Sequence, residues 1–245
     1  MSEILLSVII PAYNEAKNIK STLQEVSGYF SERNFSYEII IIDDGSKDET
    51  YAIAESCSTL FRSFKVFKNS PNKGKGFTIK RGILEARGEY ALFMDADNST
   101  SIYEFDKFLP LLEKGNEVVI ASRRLKASEV LGSQPALRII MGNFYIFLSR
   151  LILGVHISDF NCGFKAYSTT AAGKIFNLQR INGWSFDTEI LFLAKKHNFA
   201  IREIPVKWVH KHTSKVKPVR DGVASFVSLV KIKINDIKGV YEQDK

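Results

Sequence analysis

Short apolar, β-branched runs alternate with segments of helical spacing between residues 5 and 121. Leu5–Ile10, Glu38–Ile42, Phe64–Asn69, Tyr90–Met94 and Glu117–Ala121 read as strands. Helices are expected between them: from a cap at Asn14 to Phe30, from Ser46 or Asp48 to Cys57, from Lys75 to Ala86 with Gly88 as the stop, and over Ile102–Lys114. Strands that are apolar on both faces must be covered on both faces, so the pattern predicts a mostly parallel central sheet flanked by helices. The second half is less regular. Gln134–Leu153 reads as a helix that is apolar over most of its circumference. Ser158–Tyr167 reads as a loop entering a short strand, Thr188–Lys196 as a helix, Ile201–Val209 as a strand and Lys211–Arg220 as a basic loop. Val223–Val240 reads as an amphipathic helix, with Val223, Phe226, Val227, Val230, Ile234 and Ile237 on its apolar side. No linker or repeat interrupts the chain, so a single domain over 1–245 is expected.

Composition narrows this picture. The 245 residues are 45% hydrophobic and 25% charged, which excludes a disordered or low-complexity chain. The net charge of +7 is unevenly spread. Residues 1–122 carry 14 basic against 18 acidic residues, and residues 123–245 carry 20 against 9. A basic half fits an anionic partner such as phosphates, nucleic acid or a membrane, and it equally fits a solvated surface. Nucleic acid is not expected, because the basic residues are not interleaved with a stacking platform. Cys57 and Cys162 make neither a disulfide framework nor a zinc site, which fits a reducing, cytoplasmic setting. Glu3 stands where a secretory signal would be basic, so none is expected. Ile139–Leu153 is broken by Asn143 and Arg150 and falls short of the roughly 20 apolar residues of a spanning helix, so no transmembrane segment is expected.

Three polar clusters follow strand ends: Pro11–Glu15, Asp43-Asp44 and Asp95–Asp97. In open α/β sheets, ligands bind beyond the carboxyl ends of the strands, so the clusters should converge. Carboxylates two residues apart, as Asp95 and Asp97 are, can share one magnesium or manganese ion that keeps its other positions for substrate phosphates. The same spacing also suits a solvated turn. Lys73–Gly76 combines glycines, which let a backbone approach phosphate, with two lysines, and it also suits a flexible basic turn. Asp187 is either the cap of the helix that follows or a working carboxylate. The Ile139–Leu153 helix is either core or a segment lying in a membrane interface with its arginines at the headgroups. His210 and His212 have no metal-ligand context and read as surface residues.

In order and spacing, Ser7–Glu15 (SVIIPAYNE), Ile41–Asp48 (IIDDGSKD), Asn72–Gly76 (NKGKG), Ala86–Tyr90 (ARGEY) and Met94–Asp97 (MDAD) resemble the family 2 inverting glycosyltransferases of GT-A fold. Ser158–Lys165 (SDFNCGFK) and Gly183–Glu189 (GWSFDTE) resemble the subgroup that acts on polyprenyl phosphates, the dolichyl-phosphate β-glucosyltransferases first and the dolichol-phosphate mannose synthases next. Eukaryotic glucosyltransferases of that subgroup carry an N-terminal membrane anchor, and none is expected here. The resemblance implies a GT-A nucleotide-diphospho-sugar transferase fold with C-terminal amphipathic helices. It implies a donor half over 1–122 and an acceptor-binding, membrane-facing half over 123–245. Pro11, Ala12, Tyr13, Glu15, Asp43 and Asp44 would bind the nucleotide, and Lys75 and Gly76 would lie near the diphosphate. Asp95 and Asp97 would hold the sugar and a magnesium or manganese ion, with Ser99 standing where mannose synthases often have a glutamine. Arg123, Arg124, Lys215 and Arg220 would meet the acceptor phosphate. Asp97, Arg123 and Asp187 would be catalytic. The implied reaction moves a hexose, glucose ahead of mannose, from UDP-glucose or GDP-mannose to a polyprenyl phosphate on the cytoplasmic face of a membrane. The alternative is a saccharide or protein hydroxyl acceptor with Asp187 as general base, since a hydroxyl must lose a proton and a phosphate need not.

Overall fold

The computed structural model describes residues 4–132, 136–211 and 218–242. Five runs of apolar residues form most of the parallel part of one seven-stranded sheet: β1 (Leu6–Ala12), β2 (Tyr37–Asp43), β3 (Phe64–Lys68), β4 (Tyr90–Met94) and β5 (Val118–Ser122). With β7 (Phe164–Ser168), and with β8 (Ile201–Pro205) completing the parallel part beside β5, the strand order is β3-β2-β1-β4-β7-β5-β8. Alternation within each strand builds two cores. Val8, Ile10, Ile39 and Ile41 face one layer, and Ile9, Ile40 and Ile42 face the other. The first layer holds α1 (Ile19–Ser31), α2 (Thr50–Ser56), a 3₁₀ turn at Ile102–Lys107 and α4 (Leu109–Glu113). The second holds α3 (Lys75–Leu84), α5 (Ala136–Leu153), α6 (Thr169–Leu178), α7 (Phe186–Lys196) and α8 (Pro218–Ile237).

One strand runs the other way, and it positions the site. β7 is antiparallel to both β4 and β5, with Met94 opposite Phe164. Its entry loop, residues 158–163, therefore lands at the same sheet edge as the carboxyl ends of β1, β2, β4 and β5. A small parallel ribbon of β6 (Glu129–Leu131) and β9 (Lys207–Val209) lies beyond that edge.

The structure corrects several expectations. The first helix begins at Ile19, not at Asn14. Asn14 adopts a left-handed φ of 51°, its N–H donates to Ser46 Oγ (2.9 Å), and its side-chain oxygen accepts from the Lys47 N–H (2.8 Å). Both bonds favour a turn over a cap. The 102–114 helix is split by Pro110 into a 3₁₀ turn and one α-turn. The 201–209 strand is divided between two sheets at the buried Val206. Helix α6 was not expected; Ser168 caps it by accepting from the Ala171 N–H (3.3 Å), and Ala171, Ala172, Ile175 and Phe176 form its buried face. Asp187 is not a cap either, since α7 starts from Ser185 and Asp187 sits inside its first turn.

Helices α5 and α8 pack against each other. Ile146, Ser149 and Leu153 turn one face of α5 inward, but Ile140, Phe144, Phe147 and Leu151 form a stripe that is 59–70% exposed. On α8, Phe226, Val227, Val230, Ile234 and Ile237 are exposed in register with the helical period. Core therefore describes only half of α5. No helix among the described residues is long and apolar enough to cross a membrane.

Candidate active site

The clusters at the strand ends do converge, and each is built differently. The turn after β1 is held by cross-loop bonds. The Glu15 N–H donates to Thr50 Oγ1 (2.7 Å), the Asp44 N–H donates to the Ala12 carbonyl (2.7 Å), and Asp43 accepts from the Ser46 N–H (3.2 and 3.3 Å). Pro11, Tyr13 and Glu15 are half-buried beside them, whereas Ala12 and Asp43 are buried.

Asp44 faces the glycine-rich turn. Its carboxylate accepts from the Lys73 N–H (2.9 Å), the Gly74 N–H (2.9 Å) and Asn69 Nδ2 (2.8 Å). The Gly76 N–H donates to the Asn182 carbonyl (2.7 Å). The Lys73, Gly74 and Gly76 N–H groups are thus committed within the protein. Packing also requires the glycines. A Cβ at Gly74 would lie 2.5 Å from the Asn182 oxygen, and one at Gly76 would lie 2.5 Å from the Ile181 oxygen. What the turn projects is the Lys75 side chain. Its ammonium donates to Asp95 Oδ1 (2.6 Å) and sits 5.4 Å from the centre of the exposed Trp184 ring. Burial pulls Lys75 down, but Asp95, Asp187 and Asp97 outweigh it and hold the ammonium above its usual value.

Asp95 and Asp97 follow β4 on one turn. Asp97 Oδ1 accepts from the Ser99 N–H (2.9 Å). Burial, and then the charge of Asp95, push the Asp97 carboxyl above its usual value. Among the described residues no cluster of three or more His, Cys, Asp or Glu could hold a metal alone. Two hard oxygen donors with room for substrate phosphates nevertheless fit magnesium or manganese, which keep several positions for water and phosphate. Gly163 makes that turn fit, since a Cβ there would stand 2.0 Å from Asp95 Oδ2. Gly163→Ala is therefore expected to displace the Asp95 carboxylate and cut turnover by about 100-fold. Steady-state kinetics alongside a melting curve would check this, and near-normal turnover in a folded variant would refute the contact's importance.

Residues 7–176 match glycosyl transferase family 2. The chain is 36% identical over 255 residues to a dolichyl-phosphate beta-glucosyltransferase of Dictyostelium discoideum, covering 99% of this chain and 78% of that protein. This chain belongs to glycosyl transferase family 2. It is a glycosyltransferase, and two solved structures share its fold. The mannosyl-3-phosphoglycerate synthase of Rubrobacter xylanophilus superposes with a TM-score of 0.72 at 18% identity, over 99% of this chain and 77% of that one. The glucosyl-3-phosphoglycerate synthase of Mycobacterium tuberculosis, solved with manganese, UDP and glucosyl-3-phosphoglycerate, gives 0.67 at 21% identity, over 92% and 80%. These likenesses confirm the expected GT-A architecture.

On the second-half side of this family 2 site, the arginines at the end of β5 part company. Arg123 turns to Asp159, and Arg124 bonds the Asn143 side chain on α5. Arg124 joins Asn143, Ile146, Phe147, Arg150 and Ser158 around a cavity of about 370 Å³. Lys215 lies outside the described residues, and so does the Arg220 side chain. Asp187 is buried in a pair with Lys165, whose ammonium also donates to the Cys162 carbonyl (2.7 Å) and lies 5.1 Å from the Phe93 ring centre. Burial raises the Asp187 carboxyl, against the pull of Lys165 and Lys75. Glu189, two residues on, is wholly internal. It accepts from the Arg180 and Ile181 N–H groups and from the Tyr241 hydroxyl (2.6 Å). Sequence reasoning gave no role to Asp159, Gly163 or Lys165. A charge inside the apolar run Phe164–Tyr167 was the available signal, because a buried lysine needs a partner.

Proposed function

We propose that this enzyme transfers glucose, with inversion, from UDP-glucose to a dolichyl-type polyprenyl phosphate at the cytoplasmic face of a membrane. The observation that carries the proposal is the acceptor side. Asp187, whose charge Lys75 feels together with those of Asp95 and Asp97, is already paired with Lys165. Arg124 and Arg150 line the neighbouring cavity, and Arg123 stands beside Arg124 at the end of β5. A hydroxyl acceptor needs a free base. A phosphate monoester has a second pKa of about 6 and is already an anion at neutral pH, so it needs cations. The Dictyostelium relative, named for dolichyl phosphate, supports the same acceptor and sugar.

The division of labour follows the two halves. Residues 1–122 hold the donor: Pro11, Ala12, Tyr13, Glu15 and Asp43 line the nucleotide side, while Asp44 fixes the turn that carries Lys75. Asp95 and Asp97 would hold a divalent cation, which when bound neutralises the leaving diphosphate. An acceptor phosphate oxygen attacks the anomeric carbon from the face opposite the diphosphate. The bond from that carbon to the diphosphate oxygen breaks, its electron pair leaves with UDP, and the configuration inverts. No proton changes hands. Lys75 adds positive charge beside the leaving group, and Arg123 and Arg124 offset the repulsion between two anions.

The exposed apolar stripes of α5 and α8 give residues 123–245 a face suited to a membrane interface, with Arg150, Lys231 and Lys238 exposed on the same helices. Binding to anionic vesicles is expected to weaken as salt rises, and Phe144→Ser with Leu151→Ser should weaken it at every salt concentration. Vesicle sedimentation reads both, and failure to sediment at low salt would count against this face. The deciding assay mixes protein, magnesium and polyprenyl phosphate separately with labelled UDP-glucose and GDP-mannose and counts label in the organic phase. Label from UDP-glucose alone is expected. Label from GDP-mannose alone would replace the sugar, and label from neither would move the acceptor to a hydroxyl and Asp187 to the role of base.

A further inference from the structure

The acceptor-side arginine is set by residues that the reading above leaves without a role. Glu203, on β8, accepts from the Ser158 N–H (2.9 and 3.0 Å) and the Asp159 N–H (3.1 Å), which fixes the start of the 158–163 loop. Asp159, only 1% exposed, then accepts from the Arg123 N–H (3.0 Å), Nε (2.6 Å) and Nη2 (2.7 Å). Trp208, on β9, lies 5.2 Å from the guanidinium and covers it. The Nε/Nη2 edge of the fork is thereby spent and one face is covered, and among the described residues Nη1 makes no hydrogen bond. The other end of the same loop touches the carboxylate pair, since Gly163 packs on Asp95 and its carbonyl accepts from the Asp95 N–H (3.1 Å). One loop therefore registers the arginine against the carboxylates.

We propose that Asp159 and Glu203 are positioning residues, which fix Arg123 with Nη1 presented to the anionic acceptor; the proposal rests on the phosphate-acceptor reading above. A free arginine must lose side-chain freedom when it meets a phosphate, whereas one already clamped does not. The arrangement spends one edge of the fork on Asp159 and leaves the Nη1 side of Arg123 in a fixed place. Its neutralising partner also lowers the field that the acceptor meets, so the benefit is orientation at the reacting centre and not bulk attraction. Orientation of that kind acts on turnover, because a displacement near 1 Å can cost about 100-fold.

A double-mutant cycle separates positioning from mere support of the fold. Asp159→Asn is expected to lower kcat/KM for polyprenyl phosphate by about 100-fold with the KM for UDP-glucose unchanged. Glu203→Gln, one step further out, is expected to lower it by about 10-fold. In an Arg123→Gln background both effects should shrink to about twofold, because the residue they act through is gone. Full additivity in that background would overturn the proposal, and so would normal acceptor kinetics in a folded Asp159→Asn enzyme. Wild-type protein that transfers nothing to polyprenyl phosphate overturns the functional reading and the proposal with it. Wild-type transfer with additive variants overturns the proposal alone.

Discussion

Replacing Asp97 with alanine is expected to lower metal-dependent transfer by about 10²–10³-fold while leaving the melting temperature unchanged or raised. The two halves of that expectation have one cause. Asp97 is half-buried two residues from Asp95, and both burial and that neighbour disfavour its charge. Lys75 pairs directly with Asp95, and Asp97 accepts from the Ser99 N–H, which together with the charge of Lys75 does not offset burial and Asp95. The folded protein therefore carries a repulsion that a divalent cation would relieve. Removing one carboxylate removes the repulsion and the site together. A residue kept for stability would behave oppositely, since its loss would lower both melting temperature and turnover. Transfer assays over a magnesium and manganese titration, read beside thermal unfolding, distinguish the two. Full activity in Asp97→Ala would sink the metal assignment, and a fall in melting temperature matching the loss of turnover would make Asp97 a structural residue.

The donor side of the molecule was largely legible because its signals are local. A strand such as Tyr90–Met94 announces itself by five consecutive apolar residues, and the sheet rule then places Asp95 and Asp97 at its carboxyl edge. Where a polar residue sat at a strand end, though, sequence could not say which way it faced. Asp43 and Asp44 look equivalent, yet it is the Asp44 carboxylate that accepts from Asn69, Lys73 and Gly74, while the Asp43 carboxylate accepts from Ser46. Asn14 has the chemistry of a cap and makes a turn, because Ser46 and Lys47 from another loop outbid the local helix. The acceptor side was harder for the same reason. The antiparallel entry of β7 brings Asp159 to Arg123 across 36 residues and Lys165 to Asp187 across 22, and neither pairing has a sequence period. Which residues of α5 join the core was decided by neighbours alone. Ile146, Ser149 and Leu153 found α8 and the core, and Phe144, Phe147 and Leu151 did not.

Lys165→Met is expected to destabilise the protein by about 3–5 kcal/mol, a large share of the roughly 5–15 kcal/mol that holds a typical domain. Lys165 is wholly buried and Asp187 nearly so, and each is the other's charge partner. Removing the ammonium leaves a carboxylate in the core with Lys75 as its remaining nearby cation. That carboxylate has one escape, which is to take up a proton. In the variant the folded-state pKa of Asp187 rises further above the unfolded value of about 3.9. Between those two values the folded state binds a proton that the unfolded state does not, so stability falls as pH rises through the window. The variant should consequently approach wild-type stability in acid and depart from it most at neutral pH. Lys165→Met combined with Asp187→Leu removes both charges and should recover most of the loss, since a buried pair replaced by apolar groups is often neutral. Urea unfolding of the three proteins at pH 5 and pH 7 reads all of this. A single variant within about 1 kcal/mol of wild type at pH 7 would mean that Asp187 is not held as an anion by Lys165. Turnover adds a separate lesson. Asp187→Asn keeps the size of the side chain but removes any base, so an enzyme using a phosphate acceptor should keep measurable transfer, while one using a hydroxyl should lose nearly all of it with donor binding intact.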